Sequence, residues 1–476
     1  MAERTRKVAV VGGGITGLSA AYYLQKQAKE LGVSLEVTLI EATHRLGGKI
    51  QTLRKDGFVI ERGSDSFLSR TKNINALVQE LGIEDQLVES GAGETYVMVE
   101  DKLHPVPKGS VMGVPTAVGP FLNSALYSWS GKFRAAVDLI LPKSGNTVDQ
   151  PVGPFMRRRF GNEVVENLIE PLFSGFFSGD IDRLSLDATF PAFQEIEQQH
   201  RSLIYGMKKT KRIRPEQYTT NKRGVFRSFK NGMETLVAAI ERELSECTLL
   251  KGVKVEKIAK DKDQAVLRLN NDSTIIVDDV IFALPHAKVQ SLFEPYGLLE
   301  DLKAMPATSV ATVSMAFPAE AVHPFADKAM GFVVARNSDL SITACIASHC
   351  KWPSQTPEGK MLFKAFIGRV GDEAVVELSD KEIEKTVLAD LQKAMTIKAD
   401  PEFTIVSRWS EAMPQYLVGH KERVEKARKE VEKNFPMVQI IGSSFEGFGL
   451  QGCVAQGEAA ARQILGNCLS EQEMRR

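Results

Sequence analysis

KVAVVGGGITGLSAAYYLQKQAKELGVSLEVTLIE, residues 7–41, decides the fold. KVAVV at 7–11 is a short apolar run suited to a strand covered on both faces. Gly12, Gly14 and Gly17 follow in the places of a GxGxxG turn. ITGLSAAYYLQKQAKELG then reads as a helix stopping near Gly32, and LEVTLI at 35–40 as a second strand ending in Glu41. Gly12 permits the tight turn, Gly14 leaves room for a pyrophosphate against the backbone, and Gly17 lets helix and strand pack closely. The free N–H groups around Gly13, Ile15 and Thr16 offer a positive helix end to phosphates. Glu41, with Ala42 beside it, stands where an acid accepts hydrogen bonds from an adenosine ribose. Glycine-rich turns alone arise for structural reasons, but here strand, glycines, helix, strand and acid arrive in order.

The chain has 476 residues, enough for two or three domains. Apolar residues make up 43% and charged residues 25%, and the formal net charge is zero. That balance argues against a whole-protein nucleic-acid or membrane footprint. The five cysteines are scattered with no CxxC pair, so a disulfide framework is not expected and a reducing compartment fits. Cys345, His349 and Cys350 in CIASHC lack further ligands at matching spacing, so no metal site is expected. No apolar leader with a cleavage site precedes the first strand, and no apolar run approaches a membrane span. The expected location is the cytoplasm.

Downstream, HRLGGK at 44–49 carries Arg45 and the pair Gly47 and Gly48, which suggest a second close approach of backbone to cofactor, next to Lys49. GFVIERGSDSF at 57–67 places Glu61, Arg62 and Gly63 after a strand, followed by Ser64, Asp65 and Ser66. GxGxxG, an acid, RxGG and a later ERG together resemble the amine-oxidase-like flavoprotein superfamily. The resemblance implies that the cofactor is FAD, contacted by these segments.

The far end returns to the same ligand. Residues 252–285 read as a three-strand meander followed by an apolar strand, VIFALP. The resemblance puts the main chain of Val255 at the adenine. VQIIGSSFEGFGLQGCVAQGEAAARQIL at 438–465 reads as a strand reaching Gly442, a glycine turn, and a helix starting near Cys453. Ala459, Ala460 and Ala461 would let this helix lie close to its neighbours. Its N-terminus suits the flavin pyrimidine edge, which becomes anionic on reduction. Gly442, Gly449, Leu450, Gln451 and Val454 are the expected contacts. In RWSEAMPQYLVGH at 408–420, the resemblance places Trp409 near the isoalloxazine.

The expected fold class is α/β with α+β insertions: a discontinuous Rossmann-like FAD-binding domain, a sheet-bearing substrate domain and a helical domain. The FAD-binding domain is drawn as 1–85, 228–290 and 405–476. The mainly helical domain is 86–205, and the substrate domain is 206–227 with 291–404. Residues 378–396 read as a helix with a capping box at Ser379 and Glu382.

ERGSDSFLSR, LHPVPKG, NLIEPLFSGFFSGD, HRSLIYGMKK, FKNGMETL, RWSEAMPQY and IIGSSFEGFGLQGCV are similar to segments of the bacterial oxygen-dependent porphyrinogen oxidases. This likeness spans nearly the whole chain. It implies oxidation of coproporphyrinogen III to coproporphyrin III in porphyrin and haem biosynthesis, with O₂ as acceptor. Three two-electron steps would release H₂O₂. Protoporphyrinogen IX oxidation, an amine oxidase or other FAD oxidase, and a non-catalytic escort protein on the same fold are the alternatives.

Residues 200–230 hold ten Lys or Arg and one acid, Glu216. Such a stretch suits an acidic ligand, an acidic partner receiving the product, or plain solvation. Arg70 and Lys72 are candidate propionate contacts, and Phe176 and Phe177 candidate walls for a flat tetrapyrrole. The weakly charged segment 110–141 reads as helical packing, a channel wall or at most a peripheral membrane contact. No acid–base or nucleophile constellation stands out, so no catalytic residue is named.

Overall fold

The computed structural model describes residues 5–145, 148–209, 224–324, 329–447 and 449–475. At its centre is a five-stranded parallel sheet in the order Thr248–Lys251, Leu35–Glu41, Arg6–Val11, Asp279–Phe282 and Val438–Ile440. The opening strand lies in the middle, which is why KVAVV is apolar throughout. Val8 and Val10 join one core, with the helix Ile15–Leu31 and the final helix Leu450–Arg475. Ala9 and Val11 join the other, with the meander Val255–Asp261, Gln264–Leu269 and Thr274–Val277. Each such buried valine contributes about 1.5–3 kcal/mol. The helix after the glycine turn stops at Gly32, whose left-handed backbone (φ 67°) caps it through Ala28 O and Lys29 O.

A seven-stranded sheet forms the second layer. Its order is Phe403–Pro414, Ala307–Pro318, Lys360–Ile367, Ile342–Ala347, Ala329–Val334, Glu94–Val99 and Lys102–Pro105. The helix Asp380–Ala394 carries the expected capping box, with both halves formed between Ser379 and Glu382.

Between residues 118 and 209 the described chain is mostly helical. An ion network fastens these helices together. Fully buried Arg159 donates to Asp138 and Glu197, and Asp138 also accepts from Ser202 Oγ and Ile204 N. Among the described residues no helix is long and apolar enough to cross a membrane.

The strands depart from the expected division at two places. Glu94–Pro105, drawn with the helices, forms the far edge of the seven-stranded sheet. Phe403–Pro414, drawn mostly with the FAD-binding part, is its near edge, paired to Ala307–Pro318. Alternating residues reveal a strand but not the sheet it joins. The final helix begins at Leu450, three residues before the expected start at Cys453.

Candidate cofactor and substrate cavity

The glycine turn is built as its spacing requires. Gly12 has φ 107°, and a Cβ there would lie 2.4 Å from Ala283 O. A Cβ on Gly17 would lie 1.9 Å from Gly12 O, so only glycine brings this helix so near the turn. Gly14 differs: a Cβ there would meet nothing within 4 Å, because it faces open space. Gly14 is also the N-cap, with no side-chain cap bond and no acid in the first turn, so the positive helix end is left to a ligand.

That open space is a cavity of about 1490 Å³. It runs from Gly12, Gly14, Ile15 and Thr16 past Glu41 and Ala42 to Gly48 and Lys49, then to Gly63, Ser64, Asp65 and Ser66. Val255, Trp409, Gly442, Gly449, Leu450 and Gln451 also line it, as do Phe176 and Phe177. Residues as far apart in sequence as Gly12 and Gln451 therefore share one wall. Single ligand sites hold roughly 300–1,000 Å³, so this cavity has room for a dinucleotide and a second molecule.

Other expected contacts lie behind the wall. Gly13 N donates to Glu41 Oε2 at 2.7 Å, and Thr43 donates to Oε1 through N and Oγ1 at 2.8 Å. Glu41 thus braces the turn as well as facing the cavity. Gly17 acts through packing. Arg45 is outside the lining; it donates to the carbonyls of Gly48 and Ile50 and to Glu234, shaping the GlyGly loop. Val454 is fully buried in the core beside the parallel sheet and does not line the cavity. Arg70 and Lys72 are exposed and also outside the lining. Of the basic stretch, residues 210–223 lie outside the described residues.

Several functional residues carried no sequence signal. Lys364 is buried in the seven-stranded sheet and reaches through to the cavity, donating to Gly63 O at 2.8 Å. Lys351 pairs with Asp65 at 2.7 Å. Burial alone would raise the Asp65 pKa, but Lys351 and Lys364 hold it far below the usual carboxylate range. Burial pushes neighbouring Glu61 up and Lys364 down. Glu61 accepts from Thr52 Oγ1 and from Met233 N at 2.6 Å. Trp409 Nε1 donates to Arg62 O at 3.0 Å, and a Cβ on Gly63 would strike Lys49 O at 2.0 Å. Lys49 itself donates to Ala412 O, with burial lowering its pKa.

The turn at 442–445 is held by side chains from elsewhere. Tyr416 OH donates to Ser443 O at 2.6 Å, His420 Nε2 lies 3.0 Å from Phe445 O, and His286 Nδ1 lies 3.2 Å from Ser444 Oγ. Tyr416 and His420 stack at 3.9 Å between ring centroids. Burial lowers the His420 pKa to about 4, so the ring is neutral near neutrality. The final helix approaches the first through Gly457, where a Cβ would lie 2.7 Å from Thr16 O. Of the three alanines expected there, Ala460 and Ala461 are buried and Ala459 is exposed.

The arrangement suits FAD. Gly14 leaves a cradle at an uncapped helix end, Glu41 lines the cavity beside it, and the cavity continues to the start of a second helix at Leu450. One part of the cavity wall is apolar, formed by Leu172, Phe176, Phe177, Phe190 and Met112.

Residues 15–465 match the family model described as flavin containing amine oxidoreductase. A coproporphyrinogen III oxidase of Bacillus subtilis (strain 168) is 48% identical over 469 residues, covering 98% of this chain and 99% of that protein. A coproporphyrinogen III oxidase of Staphylococcus aureus is 40% identical, covering 97% of this chain and 99% of that one. A crystal structure of a protein from Exiguobacterium sp. 255-15 superposes with a TM-score of 0.88 at 34% identity, covering 97% of this chain and 99% of that one.

Proposed function

The chain belongs to the flavin containing amine oxidoreductases, and within that family we propose that it oxidises coproporphyrinogen III to coproporphyrin III with O₂ as electron acceptor. The observation that carries this reading is one cavity lined both by the glycine turn with Glu41 and by Phe176, Phe177 and Phe190. The relatives in Bacillus subtilis and Staphylococcus aureus that bear this activity in their names match this chain end to end.

FAD, when bound, supplies the two-electron chemistry, and the protein supplies binding, orientation and electrostatics. The first-turn N–H groups from Gly14 to Thr16 would hold the pyrophosphate, Glu41 would receive the ribose hydroxyls, and Val255 would meet the adenine. The Gly63–Ser66 loop, Trp409 and the start of the helix at Leu450 frame the ring system. The positive helix end would favour the electron-rich form of the cofactor. The phenylalanine wall would exclude water from the saturated carbons bridging the pyrroles and give the puckered macrocycle an apolar surface to rest on. Three two-electron oxidations remove the six electrons that separate substrate from aromatic product, and each electron pair passes to O₂ as H₂O₂. The reaction belongs to the cytoplasm, and the product goes on to a downstream enzyme of haem synthesis.

The test is purified FAD-loaded protein with coproporphyrinogen III in air. Porphyrin fluorescence should appear with about three H₂O₂ per porphyrin, the six electrons leaving in pairs. Yellow protein yielding neither signal overturns the assignment.

A further inference from the structure

The cavity wall carries four carboxylates, those of Glu41, Asp65, Glu256 and Glu411. Glu41 is engaged by Gly13 N and Thr43, and Asp65 by Lys351. Glu256 follows Val255 in the meander, where the adenine is expected. That leaves Glu411, which is exposed and, among the described residues, makes no hydrogen bond or ion pair through its carboxylate. Its charge is felt by His286, which contacts Ser444 in the turn at 442–445.

The backbone is distorted where Glu411 stands. Val310 lies opposite Trp409 and Thr308 opposite Met413, so Ser309 alone faces the three residues 410–412 and the strand bulges. Glu411 N donates to Ser309 Oγ at 2.9 Å, and Glu411 has φ 47°, a left-handed backbone that non-glycine residues rarely adopt. Bulges re-aim side chains beside active sites, and such strain persists where the surroundings enforce it. The bulge also lies at a junction. On one side a Cβ on Gly63 would lie 3.1 Å from Trp409 Cζ2, so the indole packs on the Gly63 loop. On the other, Gln415 Nε2 donates to both Met413 O and Phe177 O, at 3.0 and 2.9 Å. Glu411 is two residues from each side, between the loop expected to frame the cofactor ring and the phenylalanine wall.

We propose that Glu411 is the base that takes the protons lost by the tetrapyrrole. This rests on the porphyrinogen reading above. In each oxidation a bridging C–H bond breaks and its hydride carries two electrons to the cofactor, leaving positive charge on the pyrroles. An N–H bond then breaks, its proton passes to the Glu411 carboxylate, and a C=N bond forms. Three rounds remove three hydrides and three protons, the last proton coming from the remaining bridging carbon. Exposed Glu411 hands each proton to water, and each reduction of O₂ to H₂O₂ consumes one.

Glu411→Gln keeps the size of the side chain and removes the base. In FAD-loaded protein, kcat for coproporphyrinogen III should fall about a hundred- to ten-thousand-fold. KM, the flavin absorption band and the quenching of bound coproporphyrin III should hold. In Glu411→Ala, added formate should restore the rate in proportion to its concentration, while leaving the wild type and Glu411→Gln unmoved. A purely structural role would not answer to formate. A full-rate Glu411→Gln overturns the proposal, and so does an equal loss of porphyrin affinity or an alanine variant indifferent to formate. Wild-type protein that binds coproporphyrin III yet oxidises no porphyrinogen sinks the reaction itself. An active wild type beside an equally active Glu411→Gln sinks the base alone.

Discussion

Replacing Gly14 and Gly17 one at a time separates the cofactor contact from the packing that supports it. Gly14→Ala places a methyl where no protein atom lies within 4 Å, on a backbone (φ −70°, ψ 174°) open to any residue. The cofactor-free protein should keep its stability to within about 0.5 kcal/mol. The methyl projects into the pyrophosphate cradle, however, and should break one or two charge-assisted hydrogen bonds of about 1.5–3 kcal/mol each. The Kd for FAD should then rise at least roughly ten-fold, and up to about ten-thousand-fold if two bonds are lost in full. Gly17→Ala behaves differently. Its methyl would sit 1.9 Å from Gly12 O, so helix and turn must part by about 1–1.5 Å to regain ordinary contact. That overpacking should cost the cofactor-free protein about 1–3 kcal/mol and also loosen FAD. Thermal unfolding of the stripped proteins and quenching of added FAD fluorescence read the two effects. Wild-type FAD affinity in Gly14→Ala would refute the cradle. A wild-type melting temperature in stripped Gly17→Ala would refute the packing argument.

Acid should loosen the turn at 442–445. His420 titrates at about 4 in the folded chain against 6.5 unfolded, so the unfolded state takes up the proton first. Stability should therefore fall as pH drops from about 6.5 to 4, by up to about 3 kcal/mol. A denaturation series over that range checks it: His420→Asn should flatten the slope, leaving the part due to His286 and His349, which burial also lowers. An unaltered slope would contradict the assignment. Glu197→Ala should leave fully buried Arg159 with Asp138 as its one carboxylate and its Nε unbonded, and cost about 1–3 kcal/mol, visible as early unfolding of the helical part in hydrogen exchange. Trp409→Phe should cost only about 1 kcal/mol, because Arg62 O keeps its bond from Thr312 Oγ1 at 2.6 Å. It should shift the flavin absorption band, and an unshifted band would remove Trp409 from the ring's surroundings.

The parallel sheet was legible because its signals are local: an apolar strand, a glycine turn and a helix stop all lie within residues 7–41. The return of residues near 255 and 440 to the same ligand was legible through resemblance, and the cavity brings those segments together. Lys364 and Lys351 were not legible, since a lone lysine, in a strand or at the end of a short helix, normally points to solvent. Only the pairing of its strand into a seven-stranded sheet against the Gly63 loop turns Lys364 inward. Arg70 and Lys72 misled for the converse reason: closeness in sequence to the ERG loop does not bring a side chain into the cavity. His420 offered no acid partner in sequence, and its actual partner is a main-chain carbonyl, which sequence never marks.

The central sheet receives its outermost strand, Val438–Ile440, and one of its covering helices only from the closing part of the polypeptide. The sheet that carries the cofactor therefore stays open on that side until residue 440 has been made. Until then Asp279–Phe282 presents a bare flank able to pair with a neighbouring nascent chain. Premature stop codons beyond residue 400 should consequently yield colourless, aggregating protein rather than a weakened enzyme, even though most of the cavity wall has already been made.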